Sequence, residues 1–288
     1  MPELPEVETI ARDLNKKIKG KKFKSVEVRG AKLVKLSIKQ FQREVTSQKV
    51  KQVGRRAKLI LIELDSNKVL LIHLKLTGQL IFRDKFGKLT AGGHPVPRGL
   101  VNLPNKFTHI IFKFSDGSHL FFNDLRKFGW MNIMSKSEVK SFLDSEFGIE
   151  PLNKGFTLEK FKQILAQKGR QNIKKVLMDQ KNIAGIGNIY ADEACFYAGI
   201  RPTRLVRTLK HEEIKKLEQG IKKILKAAVA LRGTSVDTYV DASGRQGGYT
   251  SHLKVYGRGG ERCKRCGGTI KKIKLNGRGT HFCSECQL

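Results

Sequence analysis

The sequence has 288 residues, with 57 Lys and Arg against 26 Asp and Glu, for a formal net charge of +31. A hydrophobic content of 39% excludes a disordered chain, and the length suffices for two compact domains with separate cores. Basic residues run along the whole chain rather than in one tail, which points to a polyanion over a wide surface without saying which kind.

No apolar run approaches the roughly 20 residues needed to cross a bilayer. The acidic start, broken by Pro5, is unlike a secretory leader, so a cytoplasmic, nucleoid-associated protein with no membrane role is expected. That start, Met1-Pro-Glu-Leu-Pro-Glu-Val-Glu-Thr-Ile10, is informative. Small Pro2 permits removal of Met1, which leaves a secondary amine beside the Glu3 carboxylate. An α-amino group titrates at roughly 7.7–8.0, so much of it is neutral and nucleophilic near physiological pH. Attack by a secondary amine on a sugar anomeric carbon gives an iminium ion, and Glu3 is placed to move the protons involved.

Pro5 suits a first helical turn, and Val7, Ile10, Ala11, Leu14 and Ile18 then recur at helical spacing until Gly20. From Phe23 to Met134 short β runs follow: 23–28, 50–54, 59–64, 69–74, 110–114 and 119–122. Their density predicts a sandwich. Residues 86–104 read as a Gly/Pro-rich surface loop. The domains expected are a β-sandwich over 1–134, a linker over 135–150, a helical unit over 151–240 and a ribbon over 254–288. The clearest later helix runs over about 210–231, and 241–260 reads as a glycine-rich mobile loop.

Four of the five cysteines form two pairs, Cys263-x-x-Cys266 and Cys283-x-x-Cys286, sixteen residues apart. Two thiolate pairs at this separation fit one tetrahedral structural Zn²⁺ on a two-hairpin ribbon, in a compartment that keeps thiols reduced. Cys195, set among Ala and Phe, reads as a small core residue. Asn276-Gly-Arg-Gly-Thr280 forms a hairpin tip between the pairs, with glycines that let the backbone approach a phosphate beside Arg278. Arg126 and Phe128, two apart on an extended segment, would point to one side and form a wedge for a base stack. In Asn182-Ile-Ala-Gly-Ile-Gly-Asn188 the glycines sit between helical stretches, with the next helix's amino end facing a phosphate.

Pro-Glu-Leu-Pro-Glu-Val-Glu-Thr-Ile resembles the start of the formamidopyrimidine-DNA glycosylases, and further matches extend to the last residues. The resemblance implies an α+β fold: an N-terminal β-sandwich flanked by helices, then a helical domain with a helix–two-turns–helix and a zinc ribbon. It also implies a monomeric enzyme that excises oxidised purines from double-stranded DNA through a proline Schiff base, then cleaves the strand by β,δ-elimination. The catalytic residues it implies are Pro2, Glu3, Lys58 and Arg278, with Lys58 also on the lesion-flanking phosphate. Arg126 would read the orphaned cytosine, and Phe128 and Leu76 would fill the gap. His73, His109, Lys168, Arg170, Asn188 and Arg258 complete the expected DNA contacts. Gly233–Tyr239 matches the stretch that encloses the extruded base.

Two departures stand out: Leu76-Thr77 where the family commonly has Met then Glu, and Phe107-Thr-His109 where many relatives carry His-x-His. Rival readings are a pyrimidine-lesion glycosylase similar to endonuclease VIII and a damage- or nucleic-acid-binding protein without turnover. Nucleic-acid affinity is expected to fall roughly a thousandfold between about 50 and about 200 mM salt, because phosphate contacts release counterions. A filter-binding titration at several salt concentrations checks this.

Overall fold

Glutamate and proline at the chain start set the direction of the first element. The computed structural model describes residues 1–93, 102–235 and 247–288. Helix α1 (Leu4–Ile18) is capped by Glu3 in a reciprocal capping box with Glu6, and carries Pro5 in its first turn. Its apolar stripe, Val7, Ile10, Ala11, Leu14 and Ile18, is buried as the periodicity predicts.

The chain divides into two compact units, Met1–Leu143 with Arg232–Gly248 and Asp144–Leu231 with Tyr249–Leu288. In the first, α1 is followed by β1 (Phe23–Val28), α2 (Ile38–Val45), β2 (Val50–Arg56), β3 (Leu59–Leu64) and β4 (Lys68–His73). Then come β5 (Gly78–Arg83), β6 (Leu89–Gly93), β7 (Thr108–Phe114), β8 (His119–Asp124) and β9 (Trp130–Ser135). Two antiparallel sheets result, in the orders β1-β7-β8-β5-β6 and β2-β3-β4-β9. One core joins Ile60, Ile62, Leu70, Ile72 and Met131 of the smaller sheet to Leu80, Ile110, Phe112 and Phe122 of the larger, with α1 packed in. This is the expected sandwich flanked by helices.

The loop expected over 86–104 is overturned in part. Residues 89–93 form β6 beside β5, while 94–101 lie outside the described residues. Glycines weaken the sequence signal of this strand but serve its packing: a Cβ on Gly92 would stand 2.9 Å from Ile10 Cγ1. Helix α2 begins behind Ser37, whose hydroxyl accepts the Gln40 N–H, and buries Phe41 and Val45. The presumed linker contains helix α3 (Lys136–Glu146), opened by a Ser135–Glu138 capping interaction.

The second unit holds α4 (Leu158–Ala166), α5 (Ile173–Met178), α6 (Asn188–Ala198), α7 (His211–Ala230) and the hairpin β10 (Ile270–Leu275) and β11 (Arg278–Cys283). Of the expected mobile loop, 247–260 is instead anchored, with a short 3₁₀ turn at Tyr249–His252 and several backbone bonds to Glu193. Cys195 is fully buried as expected.

Gly92→Ala would press a methyl on buried, β-branched Ile10, which has little rotamer freedom to yield. The expected cost is about 1–3 kcal/mol, read from the urea unfolding midpoint.

Candidate functional site

A terminus useful for chemistry must not fray, and this one is buried. Pro2 and Glu3 are both covered while Met1 is 47% exposed. The Glu3 N–H donates to Glu6 Oε2 at 2.8 Å, and Glu6 Oε1 accepts the Thr234 N–H at 2.8 Å. Glu6 is 2% exposed, so both bonds lie away from water. Gly233 makes the second bond possible: its φ is +83°, and a Cβ there would stand 2.7 Å from Glu6 Oε1. Of the stretch 233–239, residues 236–239 lie outside the described residues.

One turn further along α1, Glu8 accepts from Arg55 Nε at 2.8 Å and Arg12 Nε at 2.6 Å. Burial pushes the Glu8 carboxyl up, but Arg55 and Arg12 outweigh it and hold the group below the usual carboxylate range. Arg55 also donates to the Ala57 carbonyl at 3.1 Å, which fixes the tight β2–β3 turn where Ala57 has φ +54°. Lys58 occupies that turn and is only 4% exposed. A turn lysine so deeply covered is unusual, because an ammonium is normally solvated.

Lys58 is electrostatically coupled to His73, which ends β4 opposite Leu59. Burial, helped by the charges of Lys75 and Lys58, lowers the His73 pKa to about 3. Its Nδ1 accepts the Lys75 N–H at 2.9 Å, so the proton of the neutral ring sits on Nε2 as a donor. Leu76 and Thr77 follow in a turn closed by the Gly78 N–H on the Leu74 carbonyl.

Arg126 and Phe128 share a side, as expected, but for a different reason. Residues 125–129 form a bent loop between β8 and β9, with Lys127 at φ +55°, rather than an extended segment. The Arg126 guanidinium lies over the Phe128 ring at 4.7 Å, and both side chains project outward, Phe128 being 52% exposed. Leu125, 49% exposed, stands in the same loop and was not singled out by its sequence. His109 is 6% exposed, with Nε2 donating to the Asp124 carbonyl at 2.8 Å. Its ring supports the loop from behind.

In the second unit, α5, two turns and α6 form the helix–two-turns–helix. Lys168 and Arg170 sit in the turn before Asn172, which caps α5 by accepting the Lys175 N–H at 2.9 Å. Asn188 opens α6 and donates to the Gly279 carbonyl at 3.0 Å and Tyr256 Oη at 3.3 Å. Asp192 pairs with Lys174 Nζ at 2.7 Å and accepts the His281 N–H at 2.8 Å. Lys174 Nζ also donates to Thr280 Oγ1 at 2.8 Å and the Gly279 carbonyl at 3.1 Å.

The Glu193 carboxylate accepts the N–H groups of Lys254, Val255 and Tyr256 at 2.9–3.1 Å. Burial raises its pKa despite those three donors. Arg258 spends Nε on Glu261 and its terminal nitrogens on the Lys254 and Arg262 carbonyls. It braces this segment from within.

Arg278 stands exposed after the Asn276-Gly277 turn, whose φ values of +49° and +74° give a tight hairpin. A cleft of about 290 Å³ opens beside it, lined by Lys175, Met178 and Asn276 among others. Below the tip, the ligand atoms of Cys263, Cys266, Cys283 and Cys286 all lie within 4.8 Å of one another. The Cys266–Cys283 and Cys263–Cys286 sulfur separations are 3.5 and 3.9 Å. A tetrahedron with Zn–S bonds of ~2.3 Å has edges near this length, so the four thiolates fit one structural Zn²⁺.

Sequence reading missed Glu6, Asp124, Lys174 and Asp192, since a buried charge looks like a solvated one in a chain this rich in charge. Only Glu6 left a trace, as the third residue after Glu3 in a capping pattern.

A β-sandwich with a buried leading end, joined to a helix–two-turns–helix and a four-thiolate ribbon, is the build of a zinc-ribbon DNA-binding enzyme. Family models match residues 1–131 (formamidopyrimidine-DNA glycosylase N-terminal domain), 147–240 (its H2TH domain) and 260–288 (zinc finger found in FPG and IleRS). The chain belongs to the formamidopyrimidine-DNA glycosylase family. It is 42% identical over 267 residues to the formamidopyrimidine-DNA glycosylase of Carboxydothermus hydrogenoformans, covering 92% of each chain. Against that of Listeria innocua it is 42% identical over 271 residues, covering 93% of this chain and 92% of the relative. A Lactococcus lactis FPG mutant bound to Fapy-dG containing DNA superposes with a TM-score of 0.88 at 36% identity, over 99% of both chains. The wild-type Lactococcus lactis protein bound to DNA containing an oxidised pyrimidine gives 0.87 at 36% identity, again over 99% of both.

Lys174→Met would leave Asp192 buried without its cation. A loss of about 3–5 kcal/mol is expected, measured by chemical denaturation of the zinc-loaded protein.

Proposed function

We propose that the buried Pro2–Glu3 start is the reacting centre of this oxidised-base DNA glycosylase. One observation carries the assignment: two glutamates, Glu3 and Glu6, fix the first turn of α1 so that the leading end is held still and shielded. The strand-cleaving lyase step is typical of the family. With Met1 removed, the Pro2 nitrogen attacks C1′ of the damaged nucleotide, and the bond from C1′ to the base breaks. The base departs with the proton from the Pro2 nitrogen, and Glu3 passes a proton to O4′ as the C1′–O4′ bond opens, which leaves the C1′–N bond as an iminium. The resulting iminium acidifies the C2′ hydrogens, so loss of one expels the 3′ phosphate. A second elimination expels the 5′ phosphate and leaves a one-nucleotide gap.

Lys58 supports these steps as a shielded ammonium on the lesion-flanking phosphate, with neutral His73 offering an Nε2 donor nearby. Arg278, projecting from a rigid hairpin, assists the last elimination. Phe128 and Leu76 fill the gap in the stack, and Arg126, splayed over Phe128, reads the opposite base. Such side chains compensate the few kcal/mol lost on extruding a base. Lys168 and Arg170 contact phosphates at the α5 amino end, with Asn188 at the start of α6. Functionally we divide the chain into a catalytic sandwich (1–134), a helix–two-turns–helix domain (151–240) and a zinc ribbon (254–288).

Oxidised purines are the proposed main substrates. The Lactococcus lactis relative's complex with an oxidised pyrimidine makes a broader lesion range the second reading. The thiolate zinc site and the DNA substrate support a cytoplasmic, nucleoid-associated place, and no helix among the described residues is long and apolar enough to cross a membrane.

Borohydride added to the protein with 8-oxoguanine DNA is expected to trap a covalent adduct, and Pro2→Gly to weaken it severely. A denaturing gel reads both. Absence of adduct from active, Met-free protein would overturn the proline mechanism.

A further inference from the structure

Asp124 is the last residue of β8 and is completely buried, although the four residues after it are exposed. Its carboxylate organises that loop: Oδ2 accepts the Gly129 N–H at 2.7 Å and Oδ1 the Arg126 N–H at 3.1 Å. The backbone of Asp124 is held as well, by His109 on its carbonyl and by its own N–H on the Phe107 carbonyl at 3.0 Å. Gly129 closes the ring because a Cβ there would stand 2.7 Å from Phe122 Cζ and 3.0 Å from Asp124 Oδ2.

One side chain from another loop enters this ring. Thr77 donates its hydroxyl hydrogen to Asp124 Oδ1, and its oxygen accepts the Arg126 N–H at 3.0 Å. Thr77 directly follows Leu76 in the β4–β5 turn, so a single hydroxyl ties that turn to the loop that carries Arg126 and Phe128. Glutamate, the residue that the family resemblance leads one to expect at this position, is an acceptor at neutral pH and has no hydrogen to give Asp124.

We propose that Thr77 is a positioning residue, a latch that joins the Leu76 turn to the Arg126–Phe128 loop so that all three side chains enter the duplex as one preassembled wedge. The proposal rests on the wedge reading of Leu76, Arg126 and Phe128. Its physical content is entropic: loops already fixed to each other lose less freedom on insertion than loops that must be ordered separately. Arg126 gains most, because its backbone N–H is shared between Thr77 and Asp124 while its guanidinium rests on Phe128.

The test compares the zinc-loaded parent with Thr77→Val, Thr77→Ser, Phe128→Ala and the Thr77→Val/Phe128→Ala double variant. Two rates are measured: excision of 8-oxoguanine opposite cytosine in a duplex, and cleavage of single-stranded abasic DNA, where no partner strand is wedged apart. The latch predicts that Thr77→Val lowers the duplex-to-single-strand ratio about tenfold, the effect of roughly 1.4 kcal/mol, and that Thr77→Ser restores it. A 2-aminopurine beside the lesion should report slower unstacking in Thr77→Val. In the Phe128→Ala background, Thr77→Val should add little, because coupled residues are not additive. Should the valine variant not fold, Thr77→Ala gives the same comparison. Unchanged ratio and 2-aminopurine kinetics in Thr77→Val, beside a crippled Phe128→Ala, would overturn the latch alone. Full duplex activity in Phe128→Ala would overturn the wedge reading and the latch with it.

Discussion

A buried carboxylate governs the first unit. Glu6 accepts one N–H from the chain's leading end and another from Thr234, so the first turn of α1 is tied to a segment more than two hundred residues away. An amino terminus is ordinarily the least ordered part of a domain. Here the capping box with Glu3, the apolar stripe below it and the covered Pro2 make it one of the most constrained. The same helix reaches the β2–β3 turn through Glu8 and Arg55, whose guanidinium holds the Ala57 carbonyl beside Lys58. The residues assigned to nucleophile, proton carrier and phosphate contact in this unit thus share one rigid support.

The second unit follows a similar rule with different elements. Three polar residues of one helix, Asn188, Asp192 and Glu193, each hold a separate part of the ribbon segment. The contacts fall on backbone atoms of Gly279, His281 and residues 254–256, so they set the position of the main chain and leave the Arg278 side chain free to point outward. Zinc orders the base of the ribbon, while the helix orders its tip.

Where one physical signal dominated, the sequence was readable. The 3.6-residue stripes of α1 and α7 and the branched, apolar runs of β1 and β3 placed those elements nearly to the residue. The paired cysteines announced their metal. β6 was hidden because close packing against Ile10 selects glycine, the residue that weakens a strand signal most. α2 is short, and only two of its side chains are buried, too few to make a period. Among site residues, those fixed by local motif stood out, whereas roles that depend on a distant partner did not. Arg258 looks like any exposed arginine until its donors are found committed to neighbouring groups. Asp124 reads as a turn residue, yet it sits at the centre of a loop's hydrogen bonds.

The anchoring of the ribbon by α5 and α6 bears on its portability. A four-cysteine finger of this kind belongs to a model shared with another protein class, which invites its use as an interchangeable cassette. In this chain the hairpin that carries Arg278 is positioned by Lys174, Asp192 and Asn188, none of which lies within the finger. Transplanted by itself, the cassette would carry its zinc along and lose its direction; a functional graft must bring the two helices too.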